Sequence, residues 1–361
     1  MKVLLLIPSL GSGGAERQLV NLAVLFKKKG IDVEFLIYYK DDFYKHILDE
    51  NSIKINFIYT TSALDRILKV RKFIHNSNSD VVISFLETPS FLACIAALGG
   101  KKWKLITTEL SSKKSTFESL KGKLFCHFRR YSDLIICNSY NSMAMWESYY
   151  PIYTNKLKVI YNPVILPVIT SIYQPKKHDR LNLVVAASYQ YLKNPIGLIE
   201  ALSLLDENTR SKLVINWYGR KEITMGDTRA YDESIDLIEK YNLKNIIKLN
   251  DSTTDIANKM NEADIVGLFS QLEGLPNAIC EALMIGKPII MSKVSDYENL
   301  VSAENGFLCD WDKPETIKVA LEKAINLNEN DLKKMGLKSK EKADKLFSSR
   351  VILNQWINFL N

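Results

Sequence analysis

Short apolar runs separated by stretches of helical spacing recur along the whole chain, and the pattern starts over once, past a break at residues 163–180. Runs of four to eight mostly aliphatic residues between amphipathic segments restrict the fold to strands buried on both faces with helices on either side. That is a doubly wound parallel sheet. In the first half the expected strands are residues 3–7, 31–38, 53–59, 81–85, 104–108, 134–137 and 158–161. In the second half they are 181–187, 212–218, 246–249, 264–269 and 288–291, with helices over 195–205 and 231–241. The Pro/Thr/Ser/Lys-rich tract between the halves has neither period and reads as a linker. The expected organisation is a Rossmann-like domain over 1–165, a linker over 166–180, a second Rossmann-like domain over 181–345, and a C-terminal segment over 346–361. In sheets of this kind ligands bind outside the carboxyl ends of the strands.

One such end carries the densest chemistry. After the expected strand 264–269 comes Ser270-Gln-Leu-Glu273-Gly274-Leu275-Pro276-Asn277, then Cys280-Glu281-Ala282 in an apolar segment. Pro276 fits the first turn of a helix. Glu273 then lies in the loop and Glu281 more than a turn inside the helix, so two carboxylates eight residues apart reach separate parts of one extended polar ligand. The amides around Gly274 and Leu275 open the helix, where its dipole favours an anion.

The charge of +7 is uneven: residues 1–165 hold 23 Lys/Arg against 14 Asp/Glu, and the rest 25 against 27. Basic clusters at Lys27-Lys28-Lys29, Lys101-Lys102 with Lys104, Lys113-Lys114, and Lys121 through Arg130 suit anionic lipid or a phosphorylated substrate. No recognition motif accompanies them, so nucleic acid is not an expected partner. In 115–130 aromatic and aliphatic residues recur at helical spacing with basic residues between, which fits either a membrane surface or a helix packed on its own sheet with a solvated basic face. Five scattered cysteines in apolar surroundings read as buried thiols of a reducing compartment. The N-terminal apolar run is too short for a signal peptide, and no segment approaches the roughly 20 apolar residues of a membrane helix, so a cytoplasmic location is expected. His46, His75, His127 and His178 lack ligand spacing and no Asp-x-Asp follows a strand, so no metal site is expected. Gly11-Ser-Gly13-Gly14-Ala15-Glu16 fails the dinucleotide pattern because Glu16 stands at its third glycine.

The second half, with Asp264, Ser270, Glu273-Gly-Leu-Pro-Asn277, Glu281-Ala282, Gly286-Lys-Pro288 and Asn305-Gly306, resembles glycosyltransferase family 4, the two-domain retaining enzymes of the GT-B fold. The resemblance extends to Gly13-Gly14-Ala15-Glu16-Arg17, Asn138-Ser139, Asn162-Pro163 and Lys193-Asn194, and so spans essentially the whole chain. It implies an α/β GT-B architecture whose two domains face a central cleft, with a C-terminal helix over 346–361 packing back toward the first domain. It further implies a retaining hexosyltransferase that needs no cofactor or metal and takes a nucleotide sugar, expected to be a UDP-sugar, as co-substrate. A hexose or N-acetylhexosamine would pass to a lipid-linked or saccharide acceptor in bacterial surface-polysaccharide assembly, such as O-antigen, lipopolysaccharide or capsule. The basic first domain would touch the inner face of the cytoplasmic membrane peripherally. By the same resemblance Glu273 bonds donor-sugar hydroxyls, Glu281 the ribose hydroxyls and Lys193 the diphosphate. Ser188, Gly274, Leu275, Pro276 and Asn277 complete the donor site, and Gly13, Gly14 and Glu16 form an acceptor or phosphate loop.

The chain departs from the family twice. Many members have Gly-Arg where this chain has Ala187-Ser188, which leaves Ser188 a hydroxyl only and leans diphosphate binding on Lys193. Many relatives carry a histidine near the reacting sugar where this chain has Glu109, expected just past the strand 104–108, to stabilise charge at the anomeric carbon or orient the acceptor. The competing readings are a nucleotide-sugar 2-epimerase on the same fold, against which the lack of a cleft histidine counts, and a non-catalytic sugar-nucleotide-binding protein, which the intact Glu273–Glu281 pair opposes.

Overall fold

The computed structural model describes residues 1–111, 114–166, 180–223 and 226–360. Of the tract 166–180 read as a linker only Leu166 and Arg180 fall among them, and Lys113 and His178 do not. The chain divides into two compact units, Met1–Ile165 with Ser348–Asn361, and Leu166–Phe347.

Among the described residues, the first unit builds its sheet from Lys2–Leu6 (β1), Asp32–Ile37 (β2), Lys54–Phe57 (β3), Val81–Ser84 (β4), Lys104–Glu109 (β5), Leu134–Cys137 (β6) and Leu157–Val159 (β7). Their order is β3-β2-β1-β4-β5-β6-β7 and every pairing is parallel. The interior strand β1 explains its own sequence: Val3 through Leu6 are fully buried, and a strand covered by helices on both faces has no reason to alternate. The helix Gly14–Lys28 follows β1 and buries Leu19, Leu22 and Phe26, while the helix Ser349–Leu360 sets Trp356 edge-on to Phe26, with centroids 6.2 Å apart.

The 115–130 stretch forms two helices rather than one, Ser115–Glu118 and Leu120–Phe128, because the Ser119 hydroxyl accepts the Gly122 N–H at 3.0 Å and starts the second. The break splits the apolar positions. Phe117 packs against Trp146 and Phe125 stacks on Phe91, whereas Leu120 is 88% exposed beside Lys121 and Lys123. Among the described residues no helix is long and apolar enough to cross a membrane.

The second unit repeats the plan with Leu181–Ala186 (β8), Leu213–Gly219 (β9), Ile247–Asp251 (β10), Ile265–Leu268 (β11), Ile289–Ser292 (β12) and Gly306–Cys309 (β13). The order is β10-β9-β8-β11-β12-β13, again all parallel. β13 goes beyond the sequence expectation. Four residues led by a glycine carry little strand signal, yet Gly306 is required there, since a Cβ would come within 2.2 Å of the Ile289 carbonyl oxygen. All five cysteines are free thiols and buried.

Two polar devices fix the start of β11. Asp264 accepts the Asn182 N–H at 2.8 Å and returns its own N–H to the Asn182 carbonyl at 2.9 Å, tying β11 to β8. Lys287, 2% exposed, donates to the carbonyls of Asn261 and Ala263 at 2.5 and 2.7 Å. Burial pulls its ammonium down to about 7, against the opposing attraction of Asp264.

The helix Asn277–Ile285 ends at Gly286, in the left-handed region at φ 87°, and packs on the helix Glu329–Phe347. The contact is backbone to backbone: a Cβ on Gly336 would stand 2.3 Å from the Gly286 carbonyl oxygen. Gly→Ala at an exposed helix position gains roughly 1 kcal/mol of helix propensity. Here overpacking, typically about 1–3 kcal/mol, should outweigh it. Gly336→Ala is therefore expected to lower the thermal unfolding midpoint; a raised midpoint would show that the helices can part without cost.

Candidate functional site

At the carboxyl ends of β8 and β11 two segments eighty residues apart in sequence are stitched together. After β8 the turn 188–194 ends in Asn194, left-handed at φ 61°, whose side-chain oxygen accepts the Gly197 N–H at 3.1 Å and so starts the helix Pro195–Ser203. After β11 the loop 269–276 lies against that turn: the Gln271 N–H donates to the Leu192 carbonyl at 2.8 Å, and the Gln271 side chain to the Tyr191 carbonyl at 3.1 Å. These bonds present Lys193 to Glu273. Lys193 Nζ is 2.7 Å from Glu273 Oε1, with the two side chains 21% and 10% exposed.

The carboxylate is held from below as well. Ser270 Oγ donates to the same Glu273 oxygen at 2.6 Å, and the Ser270 carbonyl in turn accepts from Ser292 Oγ at 2.6 Å. Ser295 Oγ donates to the Gly274 carbonyl, which pins the loop to the segment after β12. Ser270 appears in the sequence motif without a role, while Ser292 and Ser295 have no sequence signal. Their function follows only from strand order, which puts β12 beside β11.

The helix carrying Glu281 begins one residue later than expected, at Asn277. Pro276 precedes it with ψ 85°, outside the helical range, and no side chain caps the first turn. Leu275 and Pro276 are buried under the loop, while Gly274, Asn277 and Glu281 are partly exposed, as are Ser188 and Lys193. Burial drives the neighbouring Cys280 thiol well above its ordinary range, helped by the charges of Glu281 and Asp296, so it stays a neutral packing group. Among the described residues no three His, Cys, Asp or Glu side chains gather as a metal site.

In the first unit the structure corrects the surroundings of two predicted residues. The room that Gly13 leaves by lacking a Cβ is filled by Glu16, whose Oε2 would lie 2.1 Å from a Cβ there. Gly13 and Gly14 thus begin their helix under a carboxylate, and partial burial pushes that carboxyl up. Glu109 is not in a loop after the strand but is the last residue of β5, only 2% exposed. It accepts the Trp146 indole N–H at 3.2 Å and the Ser111 N–H at 3.1 Å. Desolvation raises its carboxyl, and the nearby Arg129 guanidinium opposes the rise. Arg129 is buried too, donates to the Thr108 carbonyl at 3.2 Å, and lies 5.8 Å from the Trp146 ring. Neither Arg129 nor Trp146 had a sequence signal linking it to Glu109.

Residues 12–166 match the model of Glycosyltransferase Family 4, and residues 171–342 that of Glycosyl transferases group 1. Among curated proteins the chain is 26% identical, over 100% of its length and 98% of the relative's, to the GalNAc-alpha-(1->4)-GalNAc-alpha-(1->3)-diNAcBac-PP-undecaprenol alpha-1,4-N-acetyl-D-galactosaminyltransferase of Campylobacter jejuni. It is 25% identical, over 94% of both chains, to the same organism's N-acetylgalactosamine-N,N'-diacetylbacillosaminyl-diphospho-undecaprenol 4-alpha-N-acetylgalactosaminyltransferase. Among solved structures, Anabaena Alr3699/HepE in complex with UDP superposes with a TM-score of 0.85 at 19% identity, covering 100% of this chain and 99% of that one.

The buried Glu109 cluster makes a stability prediction of its own. Glu109→Leu strands the buried Trp146 indole donor, which typically costs about 1–3 kcal/mol, and removes the carboxylate that attracts the nearby Arg129 guanidinium. Glu109→Gln keeps an acceptor for the indole and should lose clearly less. Chemical denaturation of the two variants distinguishes them, and equal losses would remove the carboxylate from the cluster's energetics.

Proposed function

The chain belongs to glycosyltransferase family 4 and has its GT-B fold, and we propose that it transfers a hexose or N-acetylhexosamine, with retention, from a UDP-sugar to a lipid-linked saccharide. The observation that carries this reading is the Lys193–Glu273–Ser270 cluster at the rim of β8 and β11, followed by an uncapped helix that carries Glu281. A cation, a carboxylate held in place, and a helix start that no side chain caps are the parts a sugar joined to a diphosphate needs. The names of the Campylobacter relatives support the acceptor class and an N-acetylhexosamine as the transferred unit. UDP in the Anabaena structure supports the nucleotide. The undecaprenol-linked saccharides in those names fit our reading that the transfer serves surface-polysaccharide assembly at the cytoplasmic face of the membrane, with the basic first unit against anionic lipid.

In this reading Glu273 accepts hydrogen bonds from donor-sugar hydroxyls, Glu281 from the ribose hydroxyls, and Lys193 with the helix amides meets the diphosphate. Ser188, Gly274, Leu275, Pro276 and Asn277 line the donor side, while Gly13, Gly14 and Glu16 serve the acceptor side. Glu109 acts there through Arg129 and Trp146 as a positioning residue. As the bond from the anomeric carbon to the diphosphate breaks, the acceptor hydroxyl attacks from the same face and the leaving phosphate oxygen takes its proton. The chain need supply no nucleophile. Lys193 and the amides receive the charge that develops on the leaving group, so the reaction runs without a divalent cation.

The test is a donor panel with purified protein in EDTA, reading release of nucleoside diphosphate with and without a lipid-diphosphate saccharide. UDP release that requires the acceptor is the expected result; silence with every donor would overturn the reading, and restoration by Mg²⁺ would overturn its metal-free form. Glu273→Ala should abolish transfer while leaving the fold intact, as read by circular dichroism. Glu281→Ala should raise the donor KM far more than it lowers kcat, because its contact is with the nucleotide, which is bound alike in the ground and transition states.

A further inference from the structure

We infer that Arg220, at the end of β9, is the second cation of the diphosphate site and does the work that a hydroxyl at Ser188 cannot. The inference rests on the donor reading above. The pairing of β8 with β9 runs Leu181 to Leu213 through Ala186 to Tyr218, and the ladder continues past both strands. Ala187 N–H donates to the Tyr218 carbonyl at 3.1 Å, and Tyr189 N–H to the Arg220 carbonyl at 3.0 Å. Ser188 and Arg220 are therefore register partners on the same carboxyl rim, with backbones separated by one strand spacing, about 4.8 Å. Gly219 makes the approach this close, since a Cβ on it would lie 2.0 Å from the Ala187 carbonyl oxygen and 3.0 Å from Ser188 Cα.

Charge accounting on that rim points to the same residue. Lys193 is paired with Glu273, Lys221 with Asp251 at 2.9 Å, Lys293 with Asp310 at 3.1 Å, and Arg229 with Asp227 at 2.9 Å. Arg220 is exposed, and its guanidinium makes no hydrogen bond or ion pair with any described residue. Glu222, two residues on, is engaged with the Gly226 N–H at 2.8 Å. A diphosphate arriving beside Lys193 meets a cation already half-neutralised by a carboxylate. Arg220, one strand beyond β8, offers a planar fork suited to phosphate oxygens with no partner to give up.

Calorimetric titration of the full chain with UDP and with uridine tests this, with GDP and ADP included so that the base does not decide the outcome. Arg220→Ala should weaken the nucleoside diphosphate about tenfold or more while changing uridine binding less than twofold. In Arg220→Ala/Ser188→Arg a guanidinium returns one strand over and most of the affinity should come back. Unchanged UDP affinity in Arg220→Ala, equal loss for UDP and uridine, or failure of the double variant to recover would each overturn the assignment. If the wild-type chain bound UDP tightly and only the variants disobeyed, the donor reading would stand alone. A wild type that binds none of the three diphosphates would remove that reading and this inference with it.

Discussion

Adjacency of β8 and β11 is the constraint on which the second unit depends. Asp264 clamps the two strands at their start, and the backbone bond from Gln271 to Leu192 closes them at their end. Between these clamps the strand order alone brings Lys193 and Glu273 to 2.7 Å. The pair is partly buried, so it is screened less than a surface pair, and its worth lies in fixing two long side chains before any ligand arrives. Ser270, Ser292 and Ser295 extend the same logic downward, each using a short hydroxyl to lock the loop that bears the carboxylate.

Preorganisation of this kind has a cost that the rest of the rim offsets. In the proposed donor site a lysine already bonded to a carboxylate is a weaker phosphate cation than a free one, and that reading calls for positive charge from elsewhere. The uncapped first turn of the helix Asn277–Ile285 contributes dipole and donors. Arg220 contributes a full charge from the neighbouring strand. The departure from the family at Ser188 thus becomes intelligible as a relocation across one strand spacing rather than a loss.

The helix with Glu281 is held by backbone proximity rather than by side-chain packing alone. Gly336 and Gly286 let two helices touch at their main chains, and Lys287 turns a buried amine toward two carbonyls just below. In the first unit the corresponding rigidity at the end of β5 comes from Glu109, Trp146 and Arg129, a polar cluster whose members lie on β5, a helix and a one-turn segment. The Glu109 cluster sits directly behind a strand's carboxyl end, whereas the glycine contact and Lys287 brace the opposite end, at the start of β11 and the end of the helix that carries Glu281.

By itself the sequence determined the two parallel sheets, most strand positions and the identity of the chemical groups at the second rim. Buried parallel strands leave continuous apolar runs, and helix starts leave Pro and Asn, so these signals are local and legible. β13 escaped because four residues led by glycine carry no run long enough to read. What only the tertiary structure decided are relations between segments far apart in the chain: Lys193 with Glu273, Glu109 with Trp146 and Arg129, and Ser188 with Arg220. Strand order and register set those distances. They come from the packing of the whole domain, which no window of residues contains.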